Sequence, residues 1–223
     1  MIEKTGPTIY KGESIYNTGA GGGGGIPFND YFDIVDNIYQ NNTYNNYTPL
    51  KLIETVENTD FKIDAAYYIG NPNLSFAPGC FFNLHTSSSY SQLVYLLGQG
   101  TTNPRSFRYG NNYKSKSESL NLLSEATVVC DAPMELKLIN TNFLLAETPN
   151  TVTLTHIWPV PHAVSDPKGN DYKIGVKKFV LTKKSTNKII CDFTPVKRKI
   201  DNAAGLFEAV TGTFYTSQYF GYR

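Results

Sequence analysis

The sequence has little sulphur and little charge. Its three cysteines, Cys80, Cys130 and Cys191, stand far apart. Zinc sites and redox motifs need paired spacings such as Cys-x-x-Cys, and none occurs. An odd number of distant cysteines fits buried free thiols better than a disulfide framework. Charged residues make up 17% and the net charge is +1, so there is no basic surplus to hold a nucleic-acid backbone. Runs of about 18 apolar residues, the kind that spans a membrane, are missing. So is any basic amphipathic helix for a membrane surface. Without an apolar stretch after the opening Met1-Ile2-Glu3-Lys4, no signal peptide is expected, and synthesis is expected in a cytoplasm.

Catalytic motifs are also missing. The glycines at 21–25 are not followed by Gly-Lys-Ser/Thr, so they do not make a phosphate loop. Neither His-Glu-x-x-His nor Gly-x-Ser-x-Gly occurs. The three histidines, His85, His156 and His162, are scattered. His156 and His162 flank Ile157-Trp158-Pro159-Val160-Pro161 and could approach each other, but a third metal ligand is not evident. Satisfied strand or loop histidines are the plainer reading. Acidic residues such as Asp30, Asp33 and Asp64 read as surface groups. A glycosidase would need two carboxylates facing across a cleft, which a sequence does not show. The expectation is a protein without catalytic residues, metal ligands or cofactor.

What the sequence does have is aromatics, with 16 Tyr and 13 Phe, and short alternating runs broken by turn residues. Strands are predicted at Tyr31–Val35, Leu50–Val56, Phe61–Ile69, Phe81–Leu84, Gln92–Leu97, Ser106–Tyr109, Thr127–Cys130 and Met134–Ile139. Further strands are predicted at Asn142–Ala146, Val152–Thr155, Lys173–Leu181, Ile189–Phe193, Leu206–Val210 and Phe214–Thr216. Asp192-Phe193-Thr194-Pro195 is expected to end its strand, because proline cannot donate to a ladder. A turn near Thr211-Gly212 would make a hairpin whose Leu206, Phe207, Val210 and Phe214 close one end of a core. A weak helical pattern covers Ser117–Leu123. Many short strands at this spacing argue an all-β sandwich or jelly roll.

Residues 1–30 differ. Ile9-Tyr10 and Ile15-Tyr16 lie six residues apart, ahead of the glycine run at 21–25. By composition that run is a linker. Residues 1–18 then form a peptide, 19–30 the linker and 31–223 the body. A peptide this short builds no core. It either stays disordered or orders on a partner, with Ile9, Tyr10, Ile15 and Tyr16 as apolar anchors that add a strand to the partner's sheet edge. Trp158, in the Pro-rigid Trp158-Pro159-Val160-Pro161-His162, would stack on a sugar or a partner, or else cap the end of the core. His162, Tyr90 in the 85–90 loop and Tyr113 in an Asn111–Lys114 turn are the other candidate glycan or partner contacts. Asn-x-Ser/Thr sequons at Asn41, Asn46 and Asn73 carry little weight in a cytoplasmic product.

The segment Cys191–Gln218, CDFTPVKRKIDNAAGLFEAVTGTFYTSQ, resembles the C-terminal signature of LamG-like, concanavalin A-like jelly-roll domains. These occur in virion proteins of phages of gut bacteria, crAss-like phages among them. Val176–Pro195 follows that family's preceding strand pair. Asp60–Ala65, Tyr95–Gly98 and Ser106–Gly110 are similar to its earlier strands, and the polar insert 67–91 departs from it. The resemblance implies an antiparallel jelly-roll sandwich behind an extended N-terminal anchor peptide. It implies a non-enzymatic head fibre or tail appendage on a virion surface, made in a host bacterial cytoplasm. The partners would be other virion proteins, further copies in a dimer or trimer, and glycans. Alternatives are a carbohydrate-binding adhesin and, less well supported, a glycan-cleaving enzyme. Calcium can sit at the rim of related folds, but no motif here points to it.

Overall fold

The structure is a computed structural model. It describes residues 8–10, 28–40, 49–69, 79–80, 82–86, 92–97, 106–109, 112–115, 125–131, 135–138, 141–144, 153–163, 174–217 and 220–223. In chain order the elements begin with β1 (Thr8–Tyr10), α1 (Phe28–Tyr31), β2 (Phe32–Ile34), β3 (Ile38–Gln40), β4 (Leu50–Glu57) and β5 (Phe61–Ile69). Then come β6 (Gly79–Cys80), β7 (Asn83–His85), β8 (Gln92–Leu97), β9 (Ser106–Tyr109), β10 (Asn112–Ser115), β11 (Glu125–Asp131), β12 (Glu135–Leu138) and β13 (Thr141–Leu144). The last are β14 (Thr153–Trp158), β15 (His162–Ala163), β16 (Ile174–Lys183), β17 (Lys188–Arg198), β18 (Ala204–Glu208), β19 (Thr213–Thr216) and β20 (Phe220–Tyr222). The short α1 is the only helix among the described residues, so the fold is all-β, and every strand pairing among those residues is antiparallel. The weak helical pattern at 117–123 lies outside the described residues.

A twelve-stranded sheet runs β1-β19-β18-β17-β16-β5-β11-β12-β13, with β2, β3 and β20 attached beside it. A six-stranded sheet runs β10-β9-β8-β7-β14-β4, and β15 pairs with β6 apart from both. The two larger sheets share one core. Leu50, Leu52 and Val56 of β4 alternate inward while Lys51 and Glu57 point out, the period-two pattern of a half-buried strand. They meet Phe61, Ile63 and Tyr67 of β5, and Val176, Phe179 and Leu181 of β16. Phe82, just before β7, packs edge-on against Phe179 with ring centroids 5.6 Å apart.

The β16–β17 hairpin turns at Lys184–Asn187. Asp60, in the β4–β5 turn, holds it: its carboxylate accepts the Ser185 N–H at 2.7 Å and the Ser185 hydroxyl at 2.6 Å. Beside it, Lys183 and Lys188 each donate to Glu54 of β4 at 2.7 Å. This clasp ties the small sheet to the large one. It holds the Glu54 carboxyl at about 2, below its ordinary 4.5, through the hydrogen bond from Lys183 first and that from Lys188 second.

Two expectations need correction here. β17 does not stop at Pro195 but runs on to Arg198. In an extended strand the N and C=O of one residue face the same neighbour. The Pro195 carbonyl accepts from the Val35 N–H at 3.2 Å, so the donor that proline lacks falls just past the end of the β2–β17 ladder (Ile34↔Val196 to Phe32↔Arg198). On its other side Pro195 stands opposite Leu206 without losing a bond. Val210, expected in the core, is 42% exposed. It sits in the turn after β18, which Gly212 closes with a φ of 67°. The anchor of that turn is Glu208, only 3% exposed. Its carboxylate accepts the N–H groups of Asp192 (3.0 Å), Val210 (3.0 Å) and Thr211 (2.7 Å), and the Thr211 hydroxyl (2.5 Å).

The β17–β18–β19 region is covered on both faces. Leu206 points into the main core, while Phe207 joins Phe32, Val196 and Phe214 in a second cluster on the outer face. Phe28 of α1 lies over Phe207 with centroids 4.9 Å apart. Phe28 and Tyr31 of α1 thus pack against this cluster.

Candidate functional site: a cleft beside the C-terminal strand

The residues after Val196 build one polar cleft. β17 ends at Arg198, and residues 199–203 turn back into β18. Asn202 takes a φ of 57°, the left-handed region that asparagine tolerates better than most residues. Asp201 fixes the turn. Its Oδ1 accepts from the Arg198 Nε–H at 2.9 Å and the Ala203 N–H at 3.1 Å, and its Oδ2 accepts from Arg198 Nη2. The hydrogen bond from Arg198 is the main cause that lowers the Asp201 pKa below the ordinary carboxylate value. The Arg198 guanidinium also lies 5.2 Å over the Phe214 ring, which docks the fork on the sheet.

The opposite wall is β20, held by its ladder to β3. Tyr39 of β3 stands across from Gly221, and a Cβ at 221 would come within 2.5 Å of the Tyr39 ring. Glycine is what lets the ring lie against that backbone. Arg223 places its guanidinium 5.5 Å from the Tyr39 centroid and 4.6 Å from that of Tyr68. Tyr222 is 39% exposed, with Lys197 Nζ 5.7 Å from its ring centroid. Below, the Thr216 hydroxyl donates to the Ala204 carbonyl at 2.6 Å.

The cleft is an open depression of about 500 Å³ lined by Tyr39, Phe220 and Tyr222 together with Arg198, Asp201 and Asn202. It thus brings aromatic side chains next to the Arg198–Asp201 pair, which is fixed by its own hydrogen bonds. Such a set suits a ligand with a C–H face and several hydroxyls. Asp201 is the one carboxylate among the described lining residues, and it is engaged with Arg198. Two facing carboxylates, as bond cleavage between sugars requires, are not brought together there.

The residues singled out from sequence are dispersed. Trp158 ends β14, is 2% exposed and packs on Phe220 with centroids 6.0 Å apart. It caps the core, so the expectation of a Trp158 face for a sugar is corrected: a buried indole presents none. His162 lies in β15, paired with Cys80, and Tyr113 lies in β10, paired with Arg108. The Asn111–Lys114 turn is therefore largely a strand, since the short connection from Tyr109 to Asn112 leaves 112–115 free to pair. Tyr90, Ile15 and Tyr16 lie outside the described residues. Ile9 and Tyr10 belong to β1, which pairs with β19 of its own sheet.

His156 stands opposite His85. Its Nδ1 lies 2.7 Å from the Thr155 hydroxyl, which itself donates to the Thr86 carbonyl at 2.8 Å. The hydroxyl is then left to accept, which assigns the proton to Nδ1. Burial, then the charge of Lys51, lowers the His156 pKa. No cluster of three metal-ligating side chains occurs among the described residues. Cys191 is a buried free thiol whose pKa burial pushes up.

Sequence reading missed Tyr39, Arg198, Asp201, Asn202 and Tyr222. The available signal was the Asp201-Asn202 pair, a turn signature between two strands. Nothing local linked it to β3 or β20. No protein-family model, curated protein or solved structure matches the chain.

Proposed function

We propose that this chain is a non-enzymatic virion appendage protein, a head fibre or tail component. Its jelly-roll sandwich would present the cleft at Tyr39, Asp201, Asn202 and Tyr222 to a glycan. The observation that carries the glycan part is the exposed Tyr222 and half-buried Tyr39 beside a turn that the Arg198–Asp201 pair holds fixed. Fixed polar groups bind a hydroxylated ligand without an ordering cost at the moment of contact. The neutralised Arg–Asp pair suits a neutral sugar better than a strongly charged one. Attachment to other virion proteins falls to the N-terminal peptide, with Ile15 and Tyr16 as its apolar contacts. The virion assignment itself rests on the resemblance of Cys191–Gln218.

A glycan array probed with the full chain, followed by calorimetry on the best neutral oligosaccharide, tests the cleft. Tyr222→Ala and Asn202→Gly, glycine keeping the left-handed backbone that alanine would strain, should each weaken binding at least about tenfold, the loss of roughly 1.4 kcal/mol, while the chain stays folded by its melting curve. Full affinity in both variants, or no binding by the wild type, would sink the proposal. Unchanged incorporation into particles after deletion of residues 1–25 would remove the anchoring role and leave a free adhesin as the better reading.

A further inference from the structure

One row of residues crosses four strands: Tyr68 of β5 pairs with Gly175 of β16, Gly175 with Tyr39 of β3, and Tyr39 with Gly221 of β20. Directly opposed residues share a face of the sheet, so two tyrosines alternate with two glycines. Tyr39 therefore has bare backbone on either side on which its ring can lie. The side toward Gly175 is taken, since a Cβ there would overlap the carboxamide oxygen of Asn37. Asn37 is fully buried, and its Nδ2 donates to Asp36 at 2.9 Å. The ring lies over Gly221 instead. That lean places Tyr39 in the lining of the cleft, together with Gly221 itself.

Arg223 comes next on the same face. Its N–H donates to the Asn37 carbonyl at 3.2 Å, and its main-chain oxygen accepts from the N–H groups of Asp36 at 2.7 Å and Asn37 at 3.3 Å. These bonds carry the β3–β20 ladder one step past Tyr222. Side chains alternate along a strand, so residues 221 and 223 face the same side. The guanidinium lies over the Tyr39 ring at 5.5 Å and closer, at 4.6 Å, over that of Tyr68. Tyr68 and Arg223 do not line the cleft themselves.

We infer, on the reading of the cleft as a glycan site, that Arg223 is a positioning residue for it: seated on Tyr68, the guanidinium holds the Tyr39 ring over Gly221, in the pose that forms the wall. A cation attracted to two ring faces restrains both. Without it, half-buried Tyr39 regains its other χ1 wells, about three in all. Binding must then select one of them, which weakens the apparent affinity about threefold.

NMR of the unliganded full chain, with isotope-labelled tyrosine, reads the ring directly. The Hα–Hβ couplings of Tyr39, assigned by their loss in Tyr39→Phe, should give one χ1 rotamer in the wild type. They should average over several in Arg223→Ala and in Tyr68→Leu, and return part of the way in Arg223→Lys, whose cation still sits over a ring. Calorimetry with the neutral oligosaccharide that scores highest on the glycan array should show Arg223→Ala and Tyr68→Leu each about threefold weaker. The double variant should be no weaker than either, because both act through one ring. A single Tyr39 rotamer in Arg223→Ala, or losses that add in the double variant, would overturn the positioning role. A wild type that binds no oligosaccharide would instead overturn the glycan reading, and the role of Arg223 in binding with it; the couplings tell the two failures apart.

Discussion

The inner core and the outer aromatic cluster lie on opposite faces of β17, β18 and β19 and are built differently. The inner core lies between two sheets and mixes aliphatic with aromatic residues from both, Leu50, Leu154, Ile63 and Phe179 among them, each almost fully buried. The outer cluster lies under a single flap, α1 with β2, and consists mainly of phenylalanines: Phe32, Phe207 and Phe214, with half-buried Phe28 at the rim. Two broad sheets supply many side chains, so branched residues can interdigitate. A seven-residue flap (28–34) supplies few, so each must bring a large area, which a ring does. Polar stitching supplements it. Lys199 N–H donates to the Tyr31 carbonyl at 2.8 Å, and Asp33 pairs with Lys197 at 3.3 Å and Lys199 at 3.4 Å. The outer cluster is a docked cover; the inner one holds the sheets together.

This difference can be broken experimentally. Phe179→Ala should cost about 3–5 kcal/mol, since walls from both sheets cannot collapse on the void, and would be read as a lower denaturant midpoint. Phe32→Ala should cost less, about 3 kcal/mol at the low end of that range, because the flap can settle. Phe28→Ala should cost about 1–1.5 kcal/mol, half the value of burying such a side chain completely. In native-state hydrogen exchange, Phe28→Ala should speed exchange at 28–34 without changing the amides of β5 and β16. Equal losses from Phe179→Ala and Phe28→Ala would mean that the two clusters form one cooperative unit.

The smallest effect concerns the clasp at the far end of the inner core. Because the Glu54 carboxyl is lowered to about 2 in the folded chain, its contribution is fully present above about pH 4.5. It fades as the pH falls through about 2. Wild type and Glu54→Gln should therefore differ slightly in denaturant midpoint at neutral pH and converge on acidification. A gap that widens on acidification would assign the clasp the wrong sign. The pair is largely solvent-facing, so screening keeps the effect well below that of Phe28→Ala.

Much of the strand pattern was legible from sequence. Phe61–Ile69, Gln92–Leu97 and Ser106–Tyr109 match β5, β8 and β9 residue for residue, because alternation and turn residues act locally. Pro195 misled, because a proline ends a strand only where its missing donor falls inside a ladder, and the neighbour strand decides that. Short pairing segments such as β3, β15 and β20 carry too few residues to show a period. The cleft was hidden for a related reason. Tyr39 and Tyr222 look like ordinary tyrosines until the β3–β20 ladder brings them to the Asp201 turn.

Sequence by itself determined the all-β class, most strand positions and the turns at 184–187 and 209–212, since these follow from side-chain period and backbone preference within a few residues. Tertiary structure decided which face each ring covers, that Trp158 is core, that Glu208 is buried, and that Arg198, Asp201, Asn202, Tyr39 and Tyr222 share a cleft. Those outcomes depend on strand order and register. Both are set by contacts between residues far apart in the chain, where no local pattern reaches.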